Sequence, residues 1–181
     1  MEQTEELIPH LFRTEYRKLT AVLTKIFGLE HIEIAEDISS DTFLMASETW
    51  GIKGLPENPV AWLYTVAKNK AKDYLKRNTL FDQKITPHLQ NNSSEIQEFE
   101  IDLSEQNITD CQLQMMFAVC HPSISSEAQI SLSLRVLCGF GIDEIANAFL
   151  TNKEVINKRL FRAKEKLRLE QVKIEFPNQG A

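Results

Sequence analysis

Apolar residues recur at helical spacing along most of the chain. Ile8, Leu11, Phe12, Tyr16, Leu19, Leu23, Ile26 and Phe27 lie largely three or four positions apart, which predicts an amphipathic helix closed by Gly28. A second helix is expected from about His31. Ile34, Ala35, Ile38, Phe43, Ala46 and Trp50 form its apolar side, and Glu33, Glu36, Asp37 and Asp41 line the rest, before Gly51, Gly54 and Pro56 break the chain. Asn58 and Pro59 then start a third helix, because Asn accepts an orphan backbone hydrogen bond and Pro is preset for the first helical position. This helix is expected to end near Arg77. Leu63, Val66, Ala67, Lys70, Ala71, Tyr74 and Leu75 trace one side, with the Lys70 stem laid along apolar surface, and Lys68, Lys72, Lys76 and Arg77 enrich the other. Trp62 reads as core in preference to a stacking platform.

The pattern lapses over residues 80–107. Asn91, Asn92, Ser93 and Ser94, followed by an acidic flank from Glu95 to Glu105, predict a partly disordered linker onto which Ile96, Phe99, Ile101 and Leu103 confer some capacity to dock. Beyond it, Asp110 is expected to cap a helix bearing Leu113, Met116, Phe117 and Val119 that ends before Pro122. Ser125 or Ser126 opens the next, which carries Ile130, Leu134 and Leu137 and ends at Gly139.

The stretch from Gly139 to Arg168 then reads as a helix, a tight turn and a basic helix. Ile145, Ala146 and Phe149 mark the short helix, and Leu150, Thr151 and Asn152 supply a turn and a new N-cap. In the longer helix Ile156, Leu160, Ala163 and Leu167 form one buried stripe. The opposite side carries Glu154, Asn157, Lys158, Phe161 and Arg162, flanked by Arg159, Lys164 and Arg168. These groups suit phosphates and base edges, as in a DNA-reading helix-turn-helix, whereas a lone basic helix would more often be a solvated face. The expected architecture is all-α: two small helical domains, residues 1–79 and 108–172, joined by a flexible linker over 80–107 and followed by a tail over 173–181.

Composition adds little to the fold and more to the partners. No apolar run approaches the roughly 20 residues of a membrane span, and the acidic start does not resemble a secretory signal, so a cytoplasmic protein without a membrane role is expected. Three irregularly spaced cysteines argue against a disulfide framework. Cys111, Cys120, His121 and Cys138 match no standard zinc spacing, so no metal is expected. No Gly-rich phosphate loop, nucleophile-base pair or repeated carboxylate motif supports an enzyme or a cofactor, and no catalytic residue is assigned. The net charge is -6, yet it is unevenly placed: residues 1–50 carry -6, 51–80 carry +4, 81–107 carry -5, 108–150 carry -3 and 151–181 carry +4. Two basic segments, each on a predicted helix, are the footprint of a polyanion partner.

Three motifs in order carry a family resemblance. Ala35-Glu36-Asp37 with Thr42-Phe43 is the first, and Asn58-Pro59-Val60-Ala61-Trp62-Leu63 with Ala67-Lys68-Asn69, Asp73, Lys76 and Arg77 is the second. The third is Glu144-Ile145-Ala146 with Arg159-Leu160-Phe161-Arg162-Ala163-Lys164. Together they resemble the extracytoplasmic-function class of bacterial RNA polymerase sigma factors. The resemblance implies a region 2-like domain that docks on core polymerase through Glu36, Asp37, Ser40, Asp41 and Phe43. It implies contact with the minus-ten promoter element, and strand opening, through Lys68, Asn69, Lys72, Lys76 and Arg77. It further implies a region 4-like helix-turn-helix reading the minus-thirty-five element through Lys153, Glu154, Asn157, Lys158, Arg159 and Arg162. Ser40 stands where many family members have Gln, and Asn157 where a basic residue is common. The segment from Phe117 to Pro122 resembles a subgroup that continues into a further helical domain. An anti-sigma factor or such a C-terminal domain is thus a further partner compatible with the resemblance, and Lys173 to Pro177 reads as the start of a linker toward that domain. A plain helix-turn-helix regulator that binds DNA without polymerase is the alternative, and it leaves the Asn58 to Arg77 segment unused.

Overall fold

The computed structural model describes residues 2–85 and 100–177, and all regular structure among them is helical. Helix α1 spans Glu2–Phe27, a 3-10 turn covers Leu29–His31, and α2 spans Ile32–Lys53. Then come α3 (Pro59–Ile85), α4 (Glu105–Val119), α5 (Ser126–Val136), α6 (Ile142–Ala148) and α7 (Lys153–Leu169).

The first three helices follow their sequence signals. Gly28 takes φ +92°, a left-handed value that stops α1 and turns the chain into the 3-10 segment. Ala35, Ile38, Phe43, Ala46 and Trp50 are buried along α2. The Asn58 side chain accepts the Ala61 N–H at 3.1 Å, and Leu63, Ala67 and Ala71 bury the inner edge of α3. Trp62 lies half-buried, edge-on to Trp50 with ring centroids 5.2 Å apart, so it packs as core.

Helix α3 continues past Arg77 to Ile85, because no Gly or Pro interrupts Asn78 to Lys84. The central part of the expected linker, residues 86–99 with Ile96 and Phe99, lies outside the described residues. The chain re-enters at residue 100, where Ile101 is buried and Leu103 packs partly buried against the core. Ser104, not Asp110, caps α4: its hydroxyl accepts the Asn107 N–H at 3.4 Å and Asp110 sits within the helix. The buried side of α4 is also not the expected one. Ile108, Cys111, Met115, Ala118 and Val119 face inward, while Leu113, Met116 and Phe117 are exposed. Helix α5 starts at the Ser125 cap as expected, but Ala128, Leu132 and Val136 are its buried apolar positions and Ile130 faces out. Both helices carry apolar residues on more than one side. The choice of inner face is then made by the neighbours.

For α4 that neighbour is α1, and for α5 it is chiefly α7. Helix α1 packs against α2 and α3 on one side and α4 and α5 on the other. One continuous apolar cluster includes Ala21, Val22 and Leu29 from the first half and Met115, Leu132, Ile145, Ile156 and Leu167 from the second. A smaller cluster of Leu11, Leu19, Phe43, Ala46, Trp50, Leu63 and Ala67 sits within the first half. The two helical groups are therefore packed together, with a core that crosses the boundary between them. Gly139 marks how close they come. Its φ is +71°, and a Cβ there would lie 3.3 Å from the Arg17 side chain on α1. The segment after α7 also packs: Ile174 is buried and its carbonyl accepts a hydrogen bond from Lys25.

Candidate nucleic-acid and polymerase interfaces

The helix-turn-helix forms as the sequence pattern predicts. Glu144 reaches back to accept the Gly141 N–H at 3.2 Å at the start of α6, and Ile145 and Ala146 are buried. The Leu150 and Thr151 N–H groups close the end of α6 on the Asn147 and Ala146 carbonyls, at 3.2 and 2.9 Å. Leu150 adopts φ +53° and is 95% exposed, a left-handed conformation that a side chain rarely takes. Asn152 then caps α7, accepting the Val155 N–H at 3.0 Å. Ile156, Leu160, Ala163 and Leu167 are all buried, which turns the polar side outward.

That polar side is divided between two clefts. Lys158, Arg159, Arg162 and Lys166 border one, facing Ser123 and Ser125 at the start of α5. Lys158 and Arg162, beside the N-terminal end of a helix, give this cleft a field that favours phosphate, while Lys166 pairs with Glu170 at 3.6 Å. Lys166 was not among the sequence-predicted contacts, although its spacing of four from Arg162 and eight from Lys158 is visible in the chain. Arg159 is placed differently from the others. Its guanidinium lies 4.9 Å from the Phe149 ring centroid and reaches Ser131 Oγ at 3.4 Å and Glu127 at 3.5 Å, so it ties α7 to α5 and α6 and is not a free phosphate contact. Lys153 pairs with Asp143 at 2.9 Å on the surface, and Glu154 is exposed.

Asn157, Phe161 and Lys164 border the second cleft with Lys158, and its other wall belongs to the first half of the chain. Ile32, Glu33 and Glu36 of α2 face them, with Leu132, Arg135 and Val136 of α5 beneath. Lys164 Nζ meets Glu33 Oε1 at 2.9 Å, and Arg135 Nε lies 3.8 Å from Glu36 Oε1. Arg17 extends the same seam by donating to the Leu137 carbonyl at 3.2 Å. Partly exposed pairs of this kind contribute about 1 kcal/mol each, so the shared apolar core carries most of the contact.

On α2 the predicted polymerase residues divide by exposure. Asp37, Ser40 and Asp41 are exposed, and Leu44 and Met45 lie exposed a turn further on, apolar positions that sequence reasoning did not assign. Glu36 is mostly covered, and burial pushes its carboxyl above the usual range against the opposing pull of Arg135. Phe43 is core: it is buried and stands edge-on to Phe12, with centroids 5.2 Å apart, so it shapes α2 from within and presents nothing to a partner.

On α3, Asn69, Lys76 and Arg77 are exposed and Lys72 is half-buried, all on the described part of the helix. Lys68 is half-covered. With Tyr64 and Thr65 it borders a cleft closed by Glu100 and Asp102 of the returning segment, which face it with opposite charge. Tyr64 meanwhile donates a hydrogen bond to Glu15, fastening α3 to α1. Among the described residues Cys111, Cys120, His121 and Cys138 are not gathered into a metal-ligand cluster, and no helix is long and apolar enough to cross a membrane.

The sigma-70 region 2 family pattern matches residues 11–80, from α1 through most of α3. Over 152 residues the chain is 26% identical to an uncharacterized protein of Rhizobium meliloti (strain 1021), a match that takes in 82% of this chain and 35% of the relative. The chain thus spans about a third of that relative's length.

Proposed function

Because residues 11–80 match the sigma-70 region 2 family pattern, we propose that the protein is a sigma factor that binds core RNA polymerase and directs promoter-specific initiation. The observation that carries this reading is the pairing of that region 2 segment, in one chain, with a helix-turn-helix whose second helix has a cationic outer side.

In this reading the α2 surface of Asp37, Ser40 and Asp41 docks on polymerase, with Leu44 and Met45 supplying apolar contact beside the charges. An acidic surface is drawn to a basic protein partner and repelled by phosphate. Asn69, Lys72, Lys76 and Arg77 on α3 guide the displaced strand at the minus-ten element, where charge acts without strict sequence readout. Lys153, Glu154, Asn157, Lys158 and Arg162 on α7 engage the minus-thirty-five element, Arg162 and Lys158 through phosphates and Asn157 through base edges. Arg159 positions α7. The protein contributes binding and orientation, and polymerase performs the chemistry.

The test is a pull-down with purified core polymerase followed by run-off transcription from candidate promoters. Retention on polymerase with promoter-dependent transcripts supports the assignment. Tight binding to duplex DNA without retention on polymerase would make the protein a helix-turn-helix regulator.

A further inference from the structure

Helix α4 leaves an apolar side uncovered. Leu113, Met116 and Phe117 are 40%, 50% and 46% exposed, and Cys120 continues their stripe at the end of the helix. Spacings of three and four put these residues on the side opposite Ile108, Cys111 and Met115, which are buried beneath α4, where it packs on α1. Met and Phe are enriched where proteins meet relative to the rest of the surface.

Charge decides what can cover this stripe. From Cys111 to Ser126 the chain has no Asp, Glu, Lys or Arg, although charged residues make up 25% of the whole. The two ends of the stripe differ in sign. Before it, Asp110 lies on the outward side of α4 and accepts the Gln106 amide at 3.0 Å, with Glu105 at the start of the helix. Past it, Ser123 opens onto the cleft bordered by Lys158, Arg162 and Lys166. Glu127 and Glu170 at that end are paired with Arg159 and Lys166. An apolar centre with an acidic end and a cationic end is complementary to itself once one copy is turned through 180°, which is what a two-fold contact requires. Two copies of net charge -6 repel at long range, and a charge-free stripe lets them approach closely.

We propose that the outer side of α4 is the contact surface of a weak homodimer, with α4 of a second copy lying antiparallel across it. A two-fold axis between Met116 and Phe117 sets Leu113 of one copy against Cys120 of the other. It also brings Asp110 toward the cationic end that begins at Ser123. One helix side is smaller than the roughly 800 Å² per partner of a stable interface, so the dissociation constant is about 10–100 µM. The stripe is distinct from the α2 and α3 surfaces, and the inference does not depend on the sigma-factor reading.

Sedimentation equilibrium of the full chain under reducing conditions, from about 5 to 500 µM, tests it. The protein should fit a monomer and dimer, and Phe117→Lys should weaken the dimer at least about tenfold with the circular dichroism spectrum unchanged. Asp110→Lys should weaken it in the same direction, and it carries the test if Phe117→Lys does not fold. The orientation is read separately. In a protein with Leu113→Cys and Cys138→Ser, mild oxidation should link position 113 of one copy to Cys120 of the other. Within one helix the two positions are about 10 Å apart at 1.5 Å per residue, too far for a disulfide inside one copy.

A wild-type protein that stays monomeric over the whole range, a dimer unaffected by either substitution, or linkage confined to pairs of Cys120 overturns the proposal. If Phe117→Lys loses core polymerase and leaves self-association unchanged, the stripe belongs to polymerase and the homodimer falls.

Discussion

Lys164 on α7 and Glu33 on α2 meet at 2.9 Å although 131 residues separate them in the chain. Beside them Arg135 reaches Glu36, so a helix proposed to touch polymerase and a helix proposed to touch DNA are joined by opposite charges.

The Glu36 side of this junction has a pH signature. Its carboxyl is held above the ordinary glutamate value of 4.5 by burial, so the folded state keeps a proton that the unfolded chain releases. Its contribution is fully present below that value and is lost as pH rises through the raised folded-state pKa. Glu36→Gln should therefore flatten the fall in thermal stability above pH 4.5 relative to wild type. Parallel stability–pH curves for the two proteins would contradict this assignment.

Met115 tests whether the two helical groups unfold together. It is fully buried in the cluster that includes Val22 and Leu132, and Met115→Ala should cost about 2–5 kcal/mol. Fluorescence of Trp50 and Trp62, both in the first half, should report the same lowered midpoint as far-ultraviolet circular dichroism. A tryptophan transition left in place would mean that the halves unfold independently.

On α7 the expectation is a division between affinity and preference. Arg162→Ala should weaken binding to all duplexes and reduce the salt slope by about one unit, as expected for one lost phosphate contact. Asn157→Ala should change the ranking of minus-thirty-five variants. Competition binding across a promoter panel at two salt concentrations separates the outcomes, and a reordering caused by Arg162→Ala but not by Asn157→Ala would reverse the roles.

Asp37 is the cleanest probe of polymerase docking because it is exposed. Asp37→Arg should leave thermal unfolding nearly unchanged and lower core polymerase affinity at least tenfold, roughly 1.4 kcal/mol. Phe43→Ala should instead reduce folding stability by about 3–5 kcal/mol, since Phe43 is buried against Phe12. Unaltered polymerase affinity in an Asp37→Arg titration would move the docking surface elsewhere.

Much of the helix-turn-helix was legible because its signals agree. A cap at Asn152, a turn at Leu150 and a single apolar stripe through Ile156, Leu160, Ala163 and Leu167 point to one arrangement. The inner faces of α4 and α5 were not legible. Their apolar residues occupy several sides; α1 selects Met115 over Met116 on α4, and on α5, whose main neighbour is α7, Leu132 is buried and Ile130 is not. Residue type suggested the charges of the candidate interfaces but not their partners. The engagement of Arg159 with Phe149 and Ser131, and the cover of Arg135 over Glu36, depend on approach between segments distant in sequence. The same holds for the packing of the two halves, which local periodicity does not encode.

Helix α1 is made first and finished late. Val22 and Leu29 belong to the cluster that Met115 and Val119 complete, so when the first three helices have left the ribosome part of their apolar surface still has no cover. The 90 or so residues from Leu29 to Val119 take roughly 5–18 s to synthesise at bacterial to eukaryotic elongation rates. During that interval the nascent chain exposes a greasy strip to chaperones and to other nascent chains, and the yield of folded protein depends on how quickly α4 arrives to seal it.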